Sequence, residues 1–262
     1  MKTLAFIGTG NMGSALARAA AKSGRAERLL LANRSPDKAQ RLALELGGEA
    51  VDNRSAAAEA DVLFFGVKPQ MLDGMLAGIR DVLEARRDRF VVVSMVAGRD
   101  LAALCAALPG VPVIRVMPNI PVAVGSGVSL FAASPEVTEE EKAFFCALLA
   151  ASGLVSELPE PLMDAATGVT GCGPAFAAMF VEALADGAVA CGLPRAQALQ
   201  YAAQMLKGTA DMLLRGGEHP GVLKDRVCSP GGSTIQGVRA LEESAFRAAV
   251  MNAVIASYEK EF

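Results

Sequence analysis

Apolar positions along this chain fall into two textures. In the first, continuous apolar runs of strand length recur at Thr3–Ile7, Arg28–Ala32, Asp61–Val67, Phe90–Ser94, Pro112–Met117 and Gly127–Ala132, with helix-like segments between most of them. Runs without polar alternation mark strands covered on both faces, and strands alternating with helices build a parallel sheet with crossover helices. Pro36–Leu46 reads as one such helix. Thr138–Ala151 reads as another, because Thr138 stands three residues before Glu141 in a capping-box pattern. Leu154–Glu157 is the expected last strand, and Pro159 with Pro161 marks a boundary. Beyond it only helical stretches follow, at Gly173–Gly192, Pro194–Arg215, Gly231–Ser244 and Phe246–Lys260. The expected class is α/β: a Rossmann-like, doubly wound, mostly parallel sheet over residues 1–159, then an all-α domain over 160–262.

One helix of the second texture changes the picture. Ala175–Cys191 is apolar almost all round, with only Glu182 and Asp186 on a polar edge. Such a helix needs cover on nearly every side, which a lone domain of about 100 residues supplies poorly. A second subunit is therefore expected to cover it, making this an all-α dimerisation domain.

Composition narrows the function. Hydrophobic residues are 52% of the 262, charged residues 20%, and the net charge is −3, which excludes a disordered tail or a basic nucleic-acid binder. Mean hydropathy is +0.36, yet no stretch approaches the ~20 uninterrupted apolar residues of a membrane span, so no membrane partner is expected. Lys2 and Leu4–Ile7 could pass for a signal peptide, but the apolar stretch is too short and runs into a glycine pattern that cleavage would destroy. There is one histidine, His219, and the five cysteines form no CxxC pair, so no metal site is expected. Scattered free cysteines suit a reducing cytoplasm. An enzyme so poor in titratable side chains would take its hard chemistry from something bound.

What it binds is written just after the first strand. Gly8-Thr9-Gly10-Asn11-Met12-Gly13 leads into a small-residue helix, Ser14–Ser23. Between a strand and a helix, Gly8 permits the tight turn, Gly10 lets backbone approach a pyrophosphate, and Gly13 brings helix and strand together. The helix start adds free N–H groups and a positive dipole end. Where an NAD site would place Asp or Glu for the ribose 2′-hydroxyl, this chain has Asn33-Arg34-Ser35 after its second strand. Those residues can donate to a 2′-phosphate, Arg34 through a planar fork, so NADPH is expected over NADH.

Ligands of doubly wound sheets sit at the carboxyl ends of strands, which here carry Val67-Lys68-Pro69-Gln70, Met95-Val96-Ala97 and Met117-Pro118-Asn119. Lys68 could meet a phosphate or a carboxamide. Asn119, between Pro118 and Pro121, is either a ligand contact or a turn residue. Farther on, Cys228-Ser229-Pro230-Gly231-Gly232-Ser233-Thr234 pairs Ser229 as an expected N-cap with Pro230 at the first helical position. Two glycines in a first helical turn weaken a helix by about 1 kcal/mol each, which points to backbone left bare for a small carboxylate. Glu139–Glu141 is expected to be a solvated helix start, and His219 a loop or cap residue.

Together these residues resemble the pyrroline-5-carboxylate reductase family. The resemblance covers essentially the whole chain: Gly8–Gly13, Val67-Lys68-Pro69, Met117-Pro118-Asn119, Gly171-Cys172-Gly173-Pro174-Ala175, and above all Pro220–Glu242 with Leu223, Val227-Cys228-Ser229, Gly231-Gly232, Thr234, Gly237-Val238 and Leu241-Glu242. It implies NAD(P)H-dependent reduction of the cyclic imine 1-pyrroline-5-carboxylate to L-proline, the last step of proline biosynthesis. It also implies an interlocked helical homodimer, often built into larger rings, with the substrate loop near the subunit interface. By position, Ile7, Gly8, Gly10, Asn11, Met12 and Gly13 would bind the dinucleotide. So would Asn33, Arg34, Ser35, Asn53, Val67, Lys68, Pro69, Gln70, Met95, Val96 and Ala97. Ser229, Gly232, Ser233 and Thr234 would hold the substrate carboxylate, Thr234 and Ser229 being the catalytic candidates, with the Thr234 hydroxyl near the ring nitrogen. Some relatives place an acidic residue just before the stretch that starts at His219, where this chain has Gly217 and Glu218. Three rivals stand beside this reading: an imine reductase for another cyclic imino acid, a non-catalytic NADPH-binding redox sensor, and a β-hydroxyacid dehydrogenase. The last lacks its base here, since Ala177 stands at the lysine position and Val181 at the asparagine position.

Overall fold

The strands are β1 (Lys2–Ile7), β2 (Ala26–Ala32), β3 (Glu49–Ala50), β4 (Val62–Phe65), β5 (Val91–Ser94), β6 (Val113–Pro118), β7 (Gly127–Ala133) and β8 (Gly153–Glu157). In this computed structural model, which describes residues 2–259, they form one sheet in the order β3-β2-β1-β4-β5-β6-β7-β8. Pairing is parallel from β3 through β6 because helices carry the chain across: α1 (Asn11–Lys22), α2 (Pro36–Leu46), α3 (Asn53–Glu59), α4 (Pro69–Ala85) and α5 (Leu101–Ala107). The link from β6 to β7 is only a 3-10 turn, Ile120–Val124, too short for a crossover, and β7 runs antiparallel. Helix α6 (Glu139–Leu149) then restores a parallel pair between β7 and β8. Strand β3 has no apolar run to announce it; Glu49 and Ala50 are both exposed.

Both sheet faces are buried, as the unalternated strands require. On one face Phe6 stacks on its register partner Phe64 with ring centroids 4.2 Å apart, over Leu16, Ala20 and Phe145 from α1 and α6. On the other, Ile7, Leu63 and Phe65 meet Leu72 and Ile79 of α4. The capping box forms at α6: the Glu141 N–H donates to Thr138 Oγ1 (3.3 Å) and the Thr138 N–H to Glu141 Oε2 (2.8 Å). Glu141 is more than a solvated start, since Arg89 binds it at 2.7 Å. Burial pushes its pKa up, but Arg89 and the Thr138 N–H outweigh this and hold the carboxyl below the usual range.

The chain divides into two compact units after Gly171, beyond the 159/160 break expected from the paired prolines. Two contacts fasten the intervening stretch, which includes α7 (Met163–Thr170), to the sheet. Met163 is fully buried against Leu130 and Ala132 of β7. Arg115 of β6, itself buried, donates to Glu160 Oε1 at 2.8 Å, and the same oxygen accepts the Leu101 N–H at 2.6 Å at the start of α5.

The second unit is all helix: α8 (Gly173–Ala190), α9 (Arg195–Gly216), α10 (Pro220–Val227), α11 (Ser233–Glu243) and α12 (Phe246–Tyr258). The expected end of the last helix at Lys260 lies outside the described residues. Helices α8 and α9 pack together through the turn at Gly192, held by an Arg195–Asp186 ion pair, and Phe180 meets Phe246 at 5.9 Å. Cover for α8 within the chain is sparse. Only Ala185 of that helix is buried, and Met179 is 67% exposed. Leu214, Met251 and Ile255 of the same unit also face outward. The run Glu160–Ala190 is long and apolar enough by composition to cross a membrane, but it breaks between α7 and α8 and carries Glu182 and Asp186. Light scattering at micromolar concentration is expected to give a dimeric or larger mass; a monomer would leave these faces without cover.

Candidate functional site

The carboxyl ends of β2, β1, β4 and β5 are stitched in a line by backbone hydrogen bonds. The Gly8 N–H donates to Ala32 O (2.8 Å), the Gly66 N–H to Ile7 O (2.8 Å), and the Met95 N–H to Phe65 O (3.0 Å). The chain order turns back at β1, with β2 on one side and β4 on the other, which is where open α/β sheets form a ligand crevice. Three glycines make the line possible. Gly8 has φ +101°, and a Cβ there would lie 2.6 Å from the Gly66 carbonyl carbon. A Cβ on Gly13 would lie 2.1 Å from Gly8 O, and one on Gly66 2.5 Å from the same oxygen.

Gly10 is different. Its φ is −72° and a Cβ would meet nothing within 4 Å, so the fold itself has no need of glycine there. It is the N-cap of α1, which begins at Asn11 and not at the expected Ser14, and no side chain caps this helix. An exposed glycine before an uncapped helix start is the cradle a pyrophosphate needs, so the residues fit a dinucleotide. Asn11 is exposed and Met12 half-buried, while Ile7 is buried and offers only backbone. Thr9 lies buried between them, its Oγ1 without a partner among the described residues.

Asn33 ties the glycine loop to the loop after β2: its Oδ1 accepts the Thr9 N–H (3.2 Å) and its Nδ2 donates to Ser35 O (3.1 Å). Arg34 and Ser35 stay exposed, and the Ser35 hydroxyl does not cap α2. Asn33, Arg34, Gln40, Asp52, Asn53 and Arg54 help to line an open groove of about 560 Å3. Among the described residues Arg34 has no carboxylate within 4.0 Å, whereas Arg54 is held by Asp81 at 2.7 Å. The Ser55 N–H, above all, keeps the Asp52 carboxyl below its usual range, and Arg54 does the same for Asp81.

The remaining candidates divide by what they expose. Lys68 is the N-cap of α4, with Pro69 at its first position, and Lys68, Pro69 and Gln70 are exposed while Val67 is half-buried. Ala97 is exposed, Met95 is half-buried, and Val96 is a core side chain that offers backbone alone. Asn119 has its carboxamide engaged by the protein: Oδ1 accepts the Val128 N–H (2.8 Å) and Nδ2 donates to Thr170 O (2.9 Å). It ties β7 to the end of α7, which fits the turn reading of this residue.

In the second unit the expected helix start is corrected. Ser229 is not the N-cap, and the two glycines are not in the first helical turn. Ser229-Pro230-Gly231-Gly232 forms a type II turn, with the Gly232 N–H donating to Ser229 O (3.0 Å), proline at the second position and Gly231 at φ +72° at the third. Gly232 is the N-cap of α11 and provides no side-chain cap, leaving the N–H groups of Ser233 and Thr234 free of one. Ser229, Ser233 and Thr234 are exposed. His219 caps α10, its Nδ1 accepting the Gly221 N–H (3.1 Å), and Glu218 pairs with Arg226. Sequence reasoning missed α10, Gly66 and Arg54; the Pro220 start after a capping residue could have disclosed the first.

Two family models match the chain: pyrroline-5-carboxylate reductase dimerisation over residues 160–261, and NADP oxidoreductase coenzyme F420-dependent over residues 3–98. The pyrroline-5-carboxylate reductase of Escherichia coli is 41% identical over 263 residues, covering 99% of this chain and 97% of that one. That of Synechocystis sp. is 46% identical over 209 residues, covering 80% and 77%. The fold matches a solved pyrroline-5-carboxylate reductase from Coxiella burnetii with a TM-score of 0.91 at 28% identity, covering 98% and 96%. It also matches the Plasmodium falciparum pyrroline carboxylate reductase crystallised with NADP bound, with a TM-score of 0.84 at 30% identity and the same coverage.

The glycines separate two effects. Gly66→Ala is expected to cost about 1–3 kcal/mol by overpacking, a fall in Tm of roughly 3–10 °C by calorimetry. Gly10→Ala is expected to keep the wild-type Tm and weaken dinucleotide binding roughly tenfold or more, as close backbone approach is lost. Equal melting and equal binding in both variants would contradict the assignment.

Proposed function

The chain belongs to the pyrroline-5-carboxylate reductase family, and from that premise we propose how its own residues divide the work. It is an oxidoreductase that reduces 1-pyrroline-5-carboxylate to proline with a nicotinamide cofactor. The cofactor, when bound, supplies the hydride. Residues 1–159 bind it and residues 160–262 carry dimerisation and the substrate. Gly10 and the free N–H groups of Asn11, Met12 and Gly13 take the pyrophosphate. Lys68, Gln70 and the backbone of Met95–Ala97 flank the nicotinamide half.

NADPH is preferred over NADH on this reading. The support is the groove that Asn33, Arg34 and Asn53 help to line, with no carboxylate within 4.0 Å of Arg34 among the described residues, and Asn33-Arg34-Ser35 after β2 where an NAD site carries Asp or Glu. Asn119 is left out of the contact set because its amide already serves the backbone.

The substrate carboxylate binds at the start of α11. A carboxylate accepts two or more N–H groups well, and here the N–H groups of Ser233 and Thr234 follow a glycine cap with no competing side-chain oxygen. The Ser229 and Thr234 hydroxyls complete the hold, and Thr234 orients the ring nitrogen, which carries its proton as iminium or takes it from water. Fixing the imine against the hydride donor converts an encounter into a positioned reaction. The observation that carries this reading is the pairing, in one chain, of two helix starts left bare by glycine, one for a pyrophosphate and one for a small carboxylate. The apolar faces of α8, α9 and α12 meet a second copy in a homodimer, which can build further into a ring. Five unpaired cysteines suit the cytoplasm.

NADPH oxidation with pyrroline-5-carboxylate, set against its six-membered analogue, tests the assignment; no turnover of either imine would overturn it. Thr234→Ala is expected to lower kcat/KM roughly ten- to a hundredfold as the oriented nitrogen is lost. Arg34→Ala is expected to weaken NADPH roughly tenfold or more through a lost charge-assisted bond and leave NADH unchanged, read by fluorescence titration.

A further inference from the structure

Arg34 does not stand alone in the groove at the end of β2. Arg54, in the first turn of α3, lines the same groove one residue after Asn53, but its guanidinium is turned to α4: Nη1 and Nη2 donate to the Asp81 carboxylate (2.8 and 2.7 Å) and Nη1 also to Gly78 O (3.0 Å). The groove also holds Asp52, whose carboxylate caps α3 through the Ser55 N–H at 2.7 Å. The charge facing a ligand is therefore one free arginine and one carboxylate. A 2′-phosphate near −2 is poorly balanced by that set, and the other cation among the lining residues is the one held by Asp81.

We propose that Arg54 is a second arginine for the 2′-phosphate of the cofactor, parked on Asp81 until the phosphate arrives, and that Asp81 sets how strongly the site distinguishes NADPH from NADH. This rests on the NADPH reading of the groove. The exchange is favourable on elementary grounds. The Arg54–Asp81 pair is exposed on both sides, with side-chain exposures of 54% and 69%, and water screens such pairs until they contribute little. A phosphate dianion offers more charge and three acceptor oxygens to the same planar fork. Release from Asp81 is the toll on binding, so removing Asp81 strengthens the phosphate site without adding a contact.

The test is calorimetric titration of the whole enzyme with 2′,5′-ADP and with 5′-AMP, which differ by the 2′-phosphate. Wild type is expected to prefer 2′,5′-ADP. Asp81→Asn is expected to tighten 2′,5′-ADP about three- to tenfold with 5′-AMP unchanged, because the freed fork makes charge-assisted bonds. Arg54→Ala is expected to weaken 2′,5′-ADP about tenfold and to abolish the effect of Asp81→Asn in the double variant. A wild-type preference that Arg54→Ala leaves intact overturns the role of Arg54 alone. Equal binding of the two nucleotides by wild type overturns the NADPH reading beneath it.

Discussion

The structure depends on how closely three backbones pass one another at the top of the sheet. Gly8, Gly13 and Gly66 come from the first turn, the first helix and the loop just after β4, and a methyl group at any of them would meet backbone. That contact seats α1 on the sheet and aims its uncapped start outward. It also brings the loop after β4 beside the loop after β1, so the crevice at the reversal of strand order has a fixed floor. Packing on both sheet faces makes this floor rigid: Phe6 on Phe64 below α1, and Ile7 with Phe65 below α4. A cofactor site built on such ends needs few side chains of its own, which fits a chain with one histidine and no clustered thiols.

The two units reach order by different means. The first buries its central strands and fastens its own exit, since Glu160 joins Arg115 of β6 to the start of α5 and Asn119 holds the end of α7. The second has small turns, helix starts that α10 apart have no side-chain cap, and much of its apolar surface faces out. Its proposed carboxylate site follows one short turn, where proline and a left-handed glycine set the angle at which α11 begins.

Much of this was legible in the residues, and what was not has physical causes. Unbroken apolar strands and the glycine pattern are local signals, so the doubly wound sheet and the cradle could be read directly. The capping box at Thr138 could be read for the same reason. Gly66 could not, because its need for glycine arises from Gly8 across a strand pair, not from its neighbours in sequence. Ser229-Pro230 fits a helix start and a turn equally well; the positive φ at Gly231 decides, and no pattern discloses it. Arg54 was missed because a surface arginine gains meaning only from the groove beside it. The helix α8 was read as needing more cover than a lone domain supplies, and within the chain only Ala185 of that helix is buried.

That last feature reaches into how such a protein is handled. Among the described residues of the second unit, Ala185, Ala198 and Leu223 are the buried apolar side chains. A helical unit with so small a private core takes its order from association, and association is governed by mass action. On the homodimer proposed above, dilution is expected to act on it as a denaturant does, loosening the unit that bears Ser229 and Thr234 while the first unit stays folded. Specific activity should therefore depend on enzyme concentration, and a variant on an outward face of α8 can imitate an active-site defect at assay dilution while behaving as wild type in concentrated stock.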